Sequence, residues 1–129
     1  MAINYKIVER INRLDESAPA KFYALTKTSG EITLRELVDE INDLSSLSAG
    51  DVMSVLEQFI KLVPKHLSKG HIVRLGDFGS FFTTANSEGS ETEEDFNESL
   101  IKKTNIKFRP GHEVKNVLNN VQYKKYQLN

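Results

Sequence analysis

The part of the sequence that most constrains the fold is a run of seven residues, Leu75-Gly76-Asp77-Phe78-Gly79-Ser80-Phe81. The residues around it, 72–75 and 79–85, predict two strands, and the Gly-Asp dipeptide between them predicts a turn. Gly79 suits a position where the backbone approaches a neighbour closely or takes an unusual φ. The two phenylalanines are expected to anchor a core or an interface. This run therefore predicts two strands joined by a glycine-containing turn.

Two helices are predicted before this run. Thr33, with Glu36 three residues later, fits a capping box, and apolar residues follow it at helical spacing. After a break at residues 43–46, a longer helix begins near Ser48 and carries a long apolar stripe. Pro64 is expected to kink or loosen its last turn. The pattern predicts an αα hairpin.

The two ends of the chain add strands and one more helix. Alternating or β-branched residues predict strands at 3–11 and 21–28, which could pair as a hairpin. Clear alternation predicts a strand at 103–109, and apolar spacing predicts a helix at 112–120. Residues 123–128 could form a short terminal strand. The fold class expected from these elements is α+β.

Charge is unevenly distributed along the 129 residues, although the net charge is only −1. Residues 86–100 contain six acids and no Lys or Arg, and a short helix is possible within residues 91–100. Residues 101–125 contain seven Lys or Arg against Glu113 alone. A nearly neutral total therefore hides an acidic block beside a basic one.

Several functional classes have little support in the sequence. There is no Cys, no apolar run long enough to span a bilayer, and no apolar N-terminal signal, so we expect a cytoplasmic protein. His66, His71 and His112 lack metal-ligand spacing and are interpreted as surface or cap histidines. We therefore expect no enzyme activity, no metal or other cofactor, no small-molecule substrate and no membrane partner.

The strand at 103–109 carries the chemistry most relevant to function. Its alternation places Lys103, Lys107 and Arg109 on one face, where they could reach the phosphates of a polyanion. Such contacts position a protein on DNA without reading its sequence. The alternative is structural, because one face of a half-buried antiparallel sheet is polar in any case.

Two motifs in this order resemble the HU/IHF family of histone-like bacterial DNA-binding proteins. The first has Phe78, Gly79, Ser80 and Phe81 at matching places, with Asp77 in place of the first glycine of the family motif. The second motif spans the end of the basic strand and the residues after it. Its matching members are Phe108, Arg109, Gly111 and Lys115, and His112 replaces a lysine.

The chain is more similar still to a divergent HU-like branch of Bacteroides-type bacteria. That branch has an N-terminal extension like residues 5–30 and a Ser-Glu-Gly-rich acidic stretch like residues 87–96. The resemblance divides the chain into an N-terminal β extension, 1–30, and an HU-like domain, 31–129. Within that domain, residues 87–100 form an acidic segment in place of the family's basic arm.

The resemblance implies an intertwined homodimer whose sheets form a saddle on double-stranded DNA. In the family, a proline at each arm tip wedges a base step. Residues 86–100 contain neither Pro nor Arg, so a wedge is not expected here. The DNA-binding residues implied are Arg74, Ser80, Lys102, Lys103, Lys107, Arg109 and Lys115.

The function expected from this resemblance is largely sequence-nonspecific DNA binding that contributes to nucleoid architecture. The alternative is a structural or protein-interaction module that keeps the HU scaffold with weak or no DNA binding. The acidic segment and the net charge of −1 motivate that alternative.

Overall fold

The structure, a computed structural model, describes residues 2–128 and is built from two three-stranded sheets and three helices. In chain order the strands and helices are β1 (Ala2–Arg10), β2 (Lys21–Lys27), α1 (Leu34–Leu44), α2 (Ala49–Leu67), β3 (Val73–Arg74), β4 (Gly79–Ser87), β5 (Ile101–Pro110), α3 (His112–Asn119) and β6 (Gln122–Lys125). Single 3₁₀ turns, Gly76–Phe78 and Glu98–Leu100, precede β4 and β5. Within this part of the chain, no helix combines the length and apolar character needed to cross a bilayer.

Helices α1 and α2 begin where their capping residues predict. The Thr33 hydroxyl accepts a hydrogen bond from the Glu36 backbone N–H (3.3 Å), and the Thr33 backbone N–H donates to the Glu36 carboxylate (2.7 Å). The Ser48 hydroxyl accepts from the Asp51 backbone N–H in the same way. The predicted capping box is therefore confirmed, and α2 continues past Pro64 to Leu67.

The central sheet has the order β3-β4-β5, with antiparallel pairing throughout. Gly79 begins β4 at φ 145°, and a Cβ built on it would lie 2.5 Å from the Arg109 carbonyl oxygen. The turn before it is tied to both flanks, because Leu75 N–H donates to Gly79 O and Gly111 N–H donates to Phe78 O. The close approach that the sequence predicted for Gly79 is therefore present.

The other sheet, here called the terminal sheet, has the order β2-β1-β6. Strand β1 pairs antiparallel with β2 and parallel with β6, which comes from the opposite end of the chain. The Tyr126 N–H extends this pairing by donating to Tyr5 O (2.8 Å). Met1 and Asn129, the outermost residues of the two predicted parts, lie outside the described residues.

The apolar core is small. Among residues 2–128, the buried apolar side chains are Val38, Val52 and Leu67, all on α1 or α2. Many large apolar side chains remain open to solvent, including Phe59 on α2 and Ile106 on β5. The chain exposes 11299 Å² of surface, whereas a compact monomer of this mass exposes about 6,900 Å². One copy of the chain thus leaves much of its apolar surface uncovered.

Candidate nucleic-acid interface

The central sheet has one polar and basic face, here called the ribbon face. The register pairs Arg74 with Ser80, Ser80 with Arg109, and Phe82 with Lys107. Directly paired residues project from the same side of a sheet, and so does every second residue along each strand. The side chains on this face are those of Arg74, Ser80, Phe82, Thr84, Asn86, Lys103, Asn105, Lys107 and Arg109.

The ribbon face brings together five of the seven residues predicted to bind DNA. Arg74, Ser80 and Arg109 form a row across the three strands, in which neighbouring strands lie about 4.8 Å apart. Lys107 and Lys103 continue the positive charge along β5. No Asp or Glu belongs to β3, β4 or β5, so the face carries charge of one sign.

An aromatic side chain on this face orients one of its cations. The Arg109 guanidinium carbon lies 5.5 Å from the centre of the Phe82 ring, within cation–π range. Phe82, Thr84 and Asn86 were not among the residues predicted for this site. The period of two that identified the basic residues of β5, applied to β4, would have found them.

The opposite side of the central sheet holds the aromatic anchors. Phe108 packs against Phe81, with ring centres 4.8 Å apart, and against Phe78 at 5.4 Å. These rings lie beside Gly79, whose missing Cβ leaves room for the Phe108 ring. Phe81 is half-buried and Phe78 is 53% exposed, so neither is a core residue of the single chain. Their role as interface anchors stays a prediction, and the ribbon face lies on the other side of the sheet.

The two remaining predicted residues lie elsewhere. Lys102 is the extra residue of a bulge in β5, because Asn86 pairs with Lys103 and Ser87 pairs with Ile101. Its ammonium donates to Ser99 O (2.9 Å) and lies 3.9 Å from a Glu88 carboxylate oxygen. Lys115 is exposed on the second turn of α3, outside the sheet. The structure thus separates both from the five residues that share the ribbon face.

The acidic segment forms a compact loop between β4 and β5. The loop is closed at its base by a hydrogen bond from Glu88 N–H to Leu100 O (2.8 Å). Inside it, Asp95 N–H donates to the Thr92 hydroxyl and Phe96 N–H donates to Glu93 O. Of the short helix possible within residues 91–100, only the 3₁₀ turn Glu98–Leu100 forms. The β4–β5 ribbon therefore ends in an acidic loop made of short turns, where the family has a long basic arm.

The histidines were interpreted as surface or cap residues. His66 and His71 are both exposed at the end of α2, with their Nδ1 atoms 3.3 Å apart. His112 is exposed at the start of α3 and lies 3.1 Å, Nε2 to Nδ2, from Asn116. Between Ala2 and Leu128, no group of three or more His, Asp or Glu is placed to hold a metal ion.

Comparison with known families places this sheet and helix pair in a defined class, the HU domains. The family HU-HIG, described as an HU domain fused to wHTH, Ig, or a glycine-rich motif, has a sequence model that matches residues 1–125. The chain therefore belongs to the HU-HIG family. The resemblance that the two motifs carry is confirmed at this level.

Solved structures with the same fold are also known. One is the crystal structure of a candidate bacterial DNA-binding protein from Bacteroides vulgatus, with a TM-score of 0.65 and 11% sequence identity. The similarity covers 99% of this chain and 50% of that one, so this chain spans half the length of that protein. At this identity the likeness concerns the fold. No match was found among curated proteins.

Proposed function

We propose that this chain is a non-enzymatic protein that binds double-stranded DNA through the ribbon face, largely without sequence preference. The observation that carries the proposal is the single-signed face on which Arg74, Lys103, Lys107 and Arg109 lie beside Ser80. Such side chains contact phosphate oxygens, and these contacts position a protein without reading bases. Membership of the HU-HIG family, and the candidate bacterial DNA-binding protein with the same fold, support DNA as the polyanion.

A homodimer is part of the proposal. The chain exposes 11299 Å², roughly 4,400 Å² more than a compact monomer of its mass. An obligate homodimer buries about 2,000–5,000 Å² or more in total, or about 1,000–2,500 Å² or more per chain, and the excess of one chain is large enough to supply it. Exposed apolar residues on both long helices, such as Leu37, Val55 and Phe59, supply the surface to be covered. Two copies would set two ribbon faces side by side and form a saddle.

The proposed DNA contact has no proline wedge. The loop between β4 and β5 contains six acids and neither Pro nor Arg, so it repels phosphates instead of entering a groove. Phosphate binding would then fall to Lys103, Lys107 and Arg109, with Lys115 of α3 as a further contact. A contribution to nucleoid architecture, with a location on the bacterial chromosome, follows from this mode of binding.

The second candidate is an HU-scaffold module for protein interaction with weak or no DNA affinity. The acidic loop and the net charge of −1 favour it, because both oppose association with a polyanion. The two candidates differ in one measurable property, which is affinity for duplex DNA at low salt.

The test compares Lys107→Glu/Arg109→Glu with the wild-type chain in a titration of labelled duplex. A control, Lys61→Glu/Lys65→Glu, makes the same charge change at two exposed positions of α2. We expect the first variant to bind about tenfold more weakly or worse, and the control to bind nearly as the wild type does. Equal affinity of all three proteins would reject the ribbon face as the DNA site.

A further inference from the structure

The terminal sheet has a strongly basic face of its own. The β1–β2 register places Lys6 beside Leu25 and Arg10 beside Lys21, and continuous alternation brings Lys27 to the same side. The β1–β6 register adds Lys124, which pairs with Asn4. This side, here called the second basic face, carries Lys6, Arg10, Lys21, Lys27 and Lys124.

The terminal sheet carries five of its six basic side chains on one side and its acidic side chain on the other. Its three strands contain one acid, Glu9, and Glu9 lies on the opposite side together with Lys125. That opposite side is otherwise largely apolar or aromatic, with Ile7, Phe22 and Tyr123 among its members. The apolar side needs cover from protein, which leaves the second basic face to meet solvent or a ligand.

Aromatic rings on the second basic face hold two of its cations. The Lys27 ammonium lies 3.3 Å from the centre of the Tyr126 ring, and the Arg10 guanidinium carbon lies 5.7 Å from that of Tyr23. These contacts leave the positive charges unneutralised, since a ring attracts a cation without cancelling its charge. Among residues 2–128, none of the five cations lies within 4.0 Å of a carboxylate.

An ordinary solvent-facing side of a sheet does not explain this pattern. The chain contains 17 Lys and Arg against 18 Asp and Glu, so a typical exposed surface would mix the two signs. Arg10 pairs directly with Lys21, and Lys27 and Lys124 both pair with Asn4. Like charges at such spacing repel one another and reduce stability unless an anion neutralises them. Their separation from every acid of the sheet therefore indicates a binding surface for a polyanion.

We propose that the second basic face is an additional DNA-binding surface. It binds backbone phosphates in a stretch of duplex that the ribbon face does not contact. From Lys21 to Lys27 the strand extends about 20 Å, the length of about six base pairs of duplex. The choice of DNA over other polyanions rests on the function proposed above; the presence of a polyanion site does not. The terminal sheet would thus lengthen the stretch of DNA that one copy of the chain covers.

The experiment measures how duplex affinity depends on salt for Lys6→Gln/Lys21→Gln/Lys124→Gln. These three lysines are exposed, and their side chains make no hydrogen bond or ion pair within the described residues, so the fold should tolerate glutamine. The control, Lys61→Gln/Lys65→Gln/Lys69→Gln, removes the same charge from exposed positions of α2 and its C-terminal end. Circular dichroism and the molecular mass in solution verify that each variant keeps its fold and assembly.

Each phosphate contact contributes about 0.9 to the slope of log K against log salt. We expect the slope of the terminal-sheet variant to be shallower by about 2.7 per chain, because three phosphate contacts are removed. The control should keep the wild-type slope. A wild-type slope in the terminal-sheet variant would overturn the proposal.

A ribbon-face variant, Lys107→Gln/Arg109→Gln, separates this proposal from the proposed function. If the ribbon-face variant alone weakens binding, the proposed function stands and the second basic face is rejected. If the terminal-sheet variant alone weakens binding, the ribbon face is rejected and the second basic face is the DNA site. If neither variant weakens binding, the ribbon face and the second basic face are both rejected as DNA sites. If each variant weakens binding, both faces stand as DNA sites.

Three further measurements identify the polyanion. The same variants are titrated with duplex RNA and with vesicles that contain phosphatidylserine, and their self-association is followed by sedimentation at low salt. A loss confined to RNA or to vesicles would overturn the assignment to DNA. So would a loss of self-association alone, which would mean that acidic loops of other copies occupy the second basic face.

Discussion

Gly79 shows how strongly one residue can determine this sheet. Its φ of 145° is one that side chains rarely adopt, and a Cβ there would overlap both the Arg109 carbonyl and the Phe108 ring. Neither neighbour can easily yield, because the first is backbone in β5 and the second packs on Phe81 and Phe78. The residue therefore sets the distance between the aromatic anchors and the strand that carries the ribbon face.

We expect Gly79→Ala to lower the free energy of unfolding by about 2 kcal/mol or more, from backbone strain and overlap together. The control is Gly89→Ala in the acidic loop, where a Cβ meets nothing within 4 Å. Urea unfolding at one fixed protein concentration measures both. If the two variants were equally stable, the close approach at Gly79 would not constrain the fold.

At this scale the sequence predicted much of the candidate site. The requirement at Gly79 and the common face of Lys103, Lys107 and Arg109 follow from local rules, namely the freedom of glycine and the period of two in strands. Lys102 was grouped with them through the resemblance, but it is the unpaired residue of a bulge, where the strand period is interrupted. Its ion pair with Glu88 depends on how the acidic loop closes, which no local pattern encodes.

The first turn of α1 shows how one helix end contributes to the stability of the fold. The Thr33 backbone N–H donates to the Glu36 carboxylate, and this bond, with a second from the Thr33 hydroxyl, holds the pKa of Glu36 below its ordinary value of 4.5. A lowered pKa in the folded state means that the ionised carboxylate stabilises the fold. That stabilisation is present above the ordinary pKa and disappears as the pH falls through the folded-state pKa.

We therefore expect Glu36→Gln to be less stable than the wild type at pH 7, and the difference to shrink as the pH falls below 4.5. Glutamine can still accept a hydrogen bond from Thr33 N–H but carries no charge, so the comparison isolates the ionised form. Urea unfolding of both proteins at several pH values measures the difference. A difference that stayed constant with pH would mean that the charge at Glu36 is not what stabilises the turn.

Most elements were predictable because their signals are local. Capping residues and apolar spacing gave the starts of α1 and α2, and alternation gave β1 and β5 to within a few residues. The parallel pairing of β6 with β1 was not predicted, because it joins segments about 120 residues apart with no shared local pattern. The second basic face arises only from that pairing and from the β1–β2 register.

The amount of uncovered apolar surface defines the molecule at its largest scale. Only three apolar side chains of residues 2–128 are buried, too few to hold about 130 ordered residues together against their conformational entropy. The sequence implied a dimer only through its resemblance to the HU/IHF family. It could not show which faces stay open, because that depends on how the elements pack in three dimensions.

We expect the chain to be a dimer at micromolar concentration, and its melting temperature to rise with protein concentration because association stabilises the folded state. Sedimentation equilibrium and thermal unfolding at several concentrations measure this. Val55→Asp/Phe59→Asp, which places charges on the exposed apolar side of α2, should yield monomer or unfolded chain. A wild-type monomer with a concentration-independent melting temperature would contradict the dimer.

The account as a whole depends on phosphate binding, and the salt dependence of duplex affinity tests it most directly. With Lys103, Lys107, Arg109 and Lys115 as contacts, log K should fall with log salt at a slope of about −3.6 per chain or steeper. Unrelated duplex sequences of equal length should give nearly the same slope and affinity. Absence of duplex binding at low salt, or an affinity that does not change with salt, would contradict the account.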